Sequence, residues 1–221
     1  MQLKRLVQVP GSVIKKRIKS KPKDIEILKA AEKLFVEKGF DNVTTAEIAK
    51  EAGCNQALLH YYYRTKKKLF EKIWESKVYS LLSLFRKEDL ARISIVESVR
   101  QFAKRQFEAM YKNQKVTEFL FHELQNHPER VAVLKKKLAP EYGSSLGEFS
   151  ARLDEEYRKG NIRKTDVVNL MFTIFSLNLS CFVSKNIFKT VCDMSEKGYQ
   201  EFLKKREEFI LDTVTDSLRP R

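Results

Sequence analysis

Between Asp24 and Lys38 the apolar residues Ile27, Leu28, Ala31, Leu34 and Phe35 recur at three- and four-residue steps, the spacing that lines one face of a helix. Asp24, just after Pro22, suits the first turn, and Gly39 stands where a left-handed stop belongs. Thr44-Thr45-Ala46-Glu47 then reads as a capping box, in which the Thr44 hydroxyl and the Glu47 carboxylate satisfy each other's backbone donors. The helix it opens is short, with Ile48, Ala49 and Ala52 on its apolar side and Gly53 at its end. Asn55 caps a third helix, with Cys54 as the apolar residue in the turn. Two short helices joined by a tight glycine turn predict a helix-turn-helix.

Downstream, Leu69 to Arg86 reads as a longer helix with Ile73, Val78, Leu81, Leu82 and Phe85 inward. Helical periodicity continues over about 94–113, 115–126, 129–158, 166–190 and 194–217, punctuated by Pro128, Gly160 and a capping box at Asp193-Met194-Ser195-Glu196. Pro140 and Gly143 are expected to bend or break the segment that contains them. No alternation is long enough for a strand, so the chain is expected to be all-α. It divides into an arm (1–23), a helix-turn-helix domain (24–72) and a larger helical domain (73–221).

The run HYYYRTKKKLF, His60 to Phe70, sets three tyrosines before three lysines. Successive helical residues turn by about 100°, so the tyrosines meet three environments: Tyr61 outward, Tyr62 at the rim beside Leu58, and Tyr63 with Leu59 in the core. The outward face then holds Gln56, Ala57, His60, Tyr61 and Arg64. Gln can pair with adenine and a small Ala can touch a thymine methyl, so this face suits the major groove. Thr65 reads as the cap of the next helix, which places Lys66, Lys67 and Lys68 in its first turn against the helix dipole. A bound phosphate would relieve that opposition. Lys66 is therefore expected to hold a DNA phosphate, and Lys66→Ala to lower the salt slope of binding by about one unit.

Charge strengthens this picture. The net charge is +14, and residues 1–72 carry 17 Lys and Arg against 8 Asp and Glu. The arm alone holds eight basic residues and no acid. A basic N-terminal third suggests a polyanionic partner, nucleic acid before a membrane surface.

Three cysteines, Cys54, Cys181 and Cys192, lack metal-type spacing and fit a reducing cytoplasm. No secretory leader is visible. The stretch VVNLMFTIFSLNLSCFVS, between Asp166 and Lys185, has 18 uncharged residues but includes Asn169, Asn178 and four Ser or Thr. It reads as a helix buried all round in an assembly rather than a membrane span. HELQNH, His122 to His127, has its histidines five apart, whereas a zinc-protease helix needs four. No metal, cofactor or catalytic constellation is expected.

The segment TTAEIAKEAGCNQALLHYYYRTKKKLF, preceded by AAEKLFVEKGF, resembles the DNA-binding domain of TetR-type (TetR/AcrR) transcriptional regulators over about residues 24–72. The resemblance implies that Thr44 and Thr45 lie near phosphate, that Gln56, Ala57 and Tyr61 face the groove, and that Tyr62 and Lys66 contact backbone. His60 replaces the usual Tyr, and Lys67 and Lys68 stand where an acid is common. It further implies a homodimeric regulator, in most cases a repressor, released from double-stranded DNA by a small-molecule effector. We assign the dimer interface to about 166–190 and 194–217, where an all-round apolar helix can serve its own domain and a second protomer at once. Two protomers then read a near-palindromic operator. Candidate linings of an effector cavity are Phe102, Phe107, Met110, Tyr111, Phe121, Phe172 and Phe175.

Two other readings compete. A thiol-responsive regulator would use Cys54, beside the recognition helix, although its turn position reads as a small buried hydrophobe. A basic membrane-surface or structural interaction protein would account for the arm but not for the capped helix-turn-helix.

Overall fold

The helical periodicities become ten helices in a computed structural model that describes residues 22–82 and 93–220, without the side chains of 22, 79–82 and 133–145. Among the described residues there is no strand. The arm up to residue 21, the inward positions Leu81, Leu82 and Phe85, and the end of the helix expected at Arg86 lie outside this description. The chain divides after Ile73 into two compact units.

The first unit contains α1 (Pro22–Lys38), α2 (Thr45–Glu51), α3 (Gln56–Tyr63) and the start of α4 (Lys66–Leu82). Ile27, Ala31 and Phe35 of α1 are fully buried, as are Val43, Ile48, Leu59 and Leu69. Each buried large apolar side chain contributes about 1.5–3 kcal/mol, so a unit this small depends on nearly all of them. Phe35, Phe40 and Phe70 form a ring cluster with centroids 4.7–5.8 Å apart. Gly39 (φ +78°) and Gly53 (φ +59°) end α1 and α2 in the left-handed region that favours glycine.

The second unit begins at Trp74 and contains α5 (Ile95–Lys112), α6 (Gln114–Asn126), α7 (Pro128–Arg158), α8 (Val167–Val183), α9 (Lys185–Val191) and α10 (Glu196–Asp216). Trp74, the only tryptophan of the chain, is buried, and its indole N–H meets no acceptor among the described residues. α5 packs between α8 and α10, and its Val99, Ala103 and Phe107 join Ile174, Phe182, Leu203 and Leu211 in one core. Arg100 on α5 reaches Glu208 (2.7 Å) and Asp212 (2.9 Å) on α10, an exposed network of modest worth.

Three expectations are corrected. The helix expected over 166–190 is two helices bent by 64° at Ser184. The capped carbonyls of Ser180 and Phe182 end α8, and Lys185 and Lys189 of α9 are drawn to Glu196 at 2.7 and 2.8 Å. α7 runs on through Pro140 and Gly143 without a break. Its two ends are anchored, by an Arg130–Glu123 ion pair and by Arg152 donating to the Ile93 carbonyl at 2.9 Å. The cap of α10 is Ser195 rather than Asp193, its hydroxyl accepting from Gly198 N–H at 3.1 Å.

No single described helix is long and apolar enough to cross a membrane. Among the described residues no metal-binding group of His, Cys, Asp and Glu converges. Glu123 of the HELQNH stretch is buried and paired with Arg130, and His127 lies 3.9 Å from the same carboxylate.

Candidate nucleic-acid interface

The caps expected around α2 and α3 are both present. Thr44 Oγ1 accepts from Glu47 N–H at 3.2 Å, and Thr44 N–H donates to the Glu47 carboxylate at 2.8 Å. Lys38 Nζ joins the same carboxylate at 2.8 Å. The Lys38 bond first, and then the two Thr44 donors, hold the Glu47 carboxyl down at about 2. Thr44 is exposed and Thr45, the first residue of α2, is half-buried. Asn55 Oδ1 accepts from Leu58 N–H at 2.8 Å and so fixes the start of α3.

α3 divides its residues as the spacing predicts. Leu59 is fully buried and Tyr63 nearly so, whereas Gln56, Ala57, His60 and Arg64 are exposed and Tyr61 is 73% exposed. Tyr62 is half-buried at the rim, its ring edge-on to Tyr61 with centroids 5.3 Å apart. His60 Nδ1 lies 3.0 Å from the Arg64 carbonyl. Because a carbonyl only accepts, Nδ1 carries the proton and Nε2 is left for an outside partner. That bond also supports Arg64, whose φ of +59° makes the sharp turn from α3 into α4. A left-handed non-glycine residue costs about 1–3 kcal/mol, so the turn is held by its surroundings.

Two polar features were not anticipated. The buried Tyr63 hydroxyl donates to the Asp24 carboxylate, and also lies 3.3 Å from the Asp24 carbonyl, tying α3 to the start of α1. A phenol in a core needs such a partner, but only the fold shows which. The second feature is Lys66. Its ammonium donates to the carbonyls of Phe40 (2.9 Å) and Val43 (2.8 Å) and sits 4.3 Å from the centre of the Phe40 ring. Two of its three donors are thus directed at the chain itself. Thr65 caps α4 by accepting from Lys68 N–H at 3.1 Å, and Lys67 and Lys68 are exposed. Cys54 is a half-buried free thiol.

The candidate cavity residues do not stay together. Phe102, Phe107 and Met110 are buried in the core of the second unit, with Tyr111 and Phe121 packed against it. Phe172 (70% exposed) and Phe175 (38%) instead lie on the outer face of α8, away from its buried Leu170, Ile174 and Asn178. Val168 of α8 and Phe209 of α10 are likewise exposed. Within the core, Asn178 Nδ2 donates to the Ala103 carbonyl (3.0 Å) and to Gln106 Oε1 (2.9 Å).

Comparison with known proteins agrees with this geometry. Residues 27–73 match the model of the bacterial regulatory proteins of the tetR family. Over 50 residues, 23% of each chain, the sequence is 44% identical to the nucleoid occlusion factor SlmA of Mannheimia succiniciproducens, so the match spans about a quarter of that relative. Among solved structures, a Clostridium perfringens protein assigned as a fatty acid metabolism regulator superposes with a TM-score of 0.60 at 20% identity, covering 89% of this chain and 100% of that one. A Streptomyces coelicolor protein assigned as a transcriptional regulator gives 0.62 at 17% identity, covering 89% and 98%. At these identities the two structures speak for the fold. Residues 27–73 thus carry a helix-turn-helix that matches the tetR family of bacterial regulatory proteins, set in a helical fold that these structures share over most of the chain.

Proposed function

We propose that the chain is a sequence-specific DNA-binding transcriptional regulator that acts as a homodimer on a near-palindromic operator. One observation carries this reading: α3 turns Gln56, Ala57, His60 and Tyr61 outward while Leu59 and Tyr63 anchor it from behind. A helix held so, with small and polar residues at its N-terminal end, suits base edges in the major groove. Thr44, Thr45 and Tyr62 flank that face at positions suited to phosphate, and Lys67 and Lys68 add charge beside it.

The exposed apolar residues Val168, Phe172 and Phe175 of α8 and Phe209 of α10 support the assignment of the dimer interface to these two helices. The buried cluster of Phe102, Phe107 and Met110, with Tyr111 and Phe121 at its edge, supports an effector site in the second unit that controls DNA release. Repression, relieved by that effector, is the mode of action in this reading. No catalytic step is assigned. Three free cysteines accord with the cytoplasm as its place of action.

The test is selection of duplexes from a randomised pool by the full chain, followed by titration of the winning sequence. The expected product is an inverted repeat with half-sites about 10 base pairs apart or a multiple of that. Affinity should fall at least about tenfold, or 1.4 kcal/mol, for Tyr61→Ala. Enrichment of no sequence, or equal binding to anionic vesicles, would overturn the proposal.

A further inference from the structure

Val43 and Lys66 bracket the helix-turn-helix, standing immediately before Thr44 and immediately after Thr65. The contact between them joins positions 23 residues apart and closes α2, the turn and α3 into one loop. At its closing point the Lys66 ammonium reaches the carbonyls of Phe40 and Val43 at 2.9 and 2.8 Å, above a Phe40 ring that belongs to the Phe35–Phe40–Phe70 cluster. The side chain thereby leaves the positive end of α4 and finds two partial negative charges and a π face. For this lysine the electrostatic opposition at the helix start is relieved inside the protein.

From this geometry we infer that Lys66 is a positioning residue: a clasp that shuts the helix-turn-helix loop and holds the start of α4 to the connection between α1 and α2. Its charge serves the chain's own carbonyls rather than a DNA phosphate. The inference rests on the DNA-binding reading for its effect on function, but the clasp is a property of the free protein. A cation that cross-links a loop of this size restricts the arrangements open to α2 and α3. Losing it should harm recognition that needs α3 in one orientation, and largely spare binding that needs only charge.

Two measurements on the full-length protein test this. The first uses Lys66→Met, which keeps the aliphatic stem on Phe40 and removes the ammonium. The melting temperature should fall. Affinity for the duplex selected by the wild-type protein should drop by about tenfold or more, while affinity for a scrambled duplex of equal length stays within about twofold. The slope of log affinity against log salt should stay within about half a unit of wild type. Equal loss on both duplexes, a slope lower by about one unit and an unchanged melting temperature would mark a phosphate contact and overturn the inference. The second measurement needs neither a variant nor DNA. The NMR signal of the Lys66 ammonium in the free wild-type protein should be protected from solvent exchange relative to Lys67 and Lys68. An ammonium that exchanges as fast as theirs overturns the clasp. Should the wild-type chain bind no duplex, the functional proposal fails while the ammonium signal still decides this one.

Discussion

Removing the Tyr63 hydroxyl isolates one link between the recognition helix and α1. Tyr63 is only 6% exposed and its hydroxyl donates to Asp24, itself 8% exposed. Tyr63→Phe keeps the buried ring, so no cavity opens. What goes is a hydrogen bond to a charged group, and a nearly buried carboxylate then loses its donor. Such a loss costs about 1.5–3 kcal/mol. Asp24 lies in the first turn of α1, where the helix dipole favours an anion by about 0.3–1 kcal/mol and softens the penalty. The net expectation is about 2 kcal/mol of destabilisation in the first unit. Urea unfolding followed by circular dichroism should show a lower midpoint with unchanged slope. Hydrogen exchange of α3 amides should accelerate correspondingly. A double-mutant cycle with Asp24→Ala should return most of the loss as coupling. A loss below about 0.5 kcal/mol, the range of ordinary surface changes, or no coupling, would refute the link. The pH dependence has a defined sign. Burial first, then the bond to Asp24, raises the Tyr63 phenol above its ordinary value. Its contribution is therefore complete below about pH 10 and is lost as pH rises further.

Other consequences can be checked in parallel. Phe172→Glu on the outer face of α8 should yield monomers in analytical ultracentrifugation; two buried rings per symmetric dimer represent about 3–6 kcal/mol, and an unchanged dimer would remove α8 from the interface. Tyr61→Ala should leave the unfolding midpoint within about 0.5 kcal/mol of wild type while it weakens operator binding, because this ring is 73% exposed. Glu47, held at about 2 by Lys38 and Thr44, contributes stability that is present above the ordinary carboxyl range and lost as pH falls toward 2. Glu47→Gln should flatten that acid limb in a pH series of melting temperatures, and an unaltered limb would exclude the group. Wild-type protein and Cys54→Ser should retain DNA binding equally after peroxide treatment, whereas a loss in the wild type that Cys54→Ser prevents would favour the thiol-responsive reading.

The first unit was legible residue by residue because its instructions are local. Thr44 and Glu47, Asn55, and Thr65 with Lys68 act within one turn, and the four-residue step from Leu59 to Tyr63 fixes which flank of α3 is buried. Long-range polar partners were not legible. Nothing near Lys66 in the chain indicates the carbonyls 23 and 26 positions away, and nothing near Tyr63 indicates Asp24. In the second unit, the uncharged run from Val167 to Ser184 concealed the break at Ser184, since apolar residues on every flank leave periodicity little signal. The same uniformity placed Phe172 and Phe175 in an interior list, although they lie two and five positions beyond the buried Leu170 on a different flank. At Pro140 local propensity speaks against a continuous helix, yet α7 runs from Pro128 to Arg158.

Trp74 has a practical consequence. It is the sole indole in the chain, buried without an acceptor among the described residues, on the helix that carries the backbone out of the first unit and into the second. Excitation at the red edge of protein absorbance therefore illuminates one reporter, on the helix in which the first unit ends and the second begins. Emission that shifts with added DNA or with a candidate small molecule would follow binding without a label, and titrations of each with and without the other would give any coupling free energy between them.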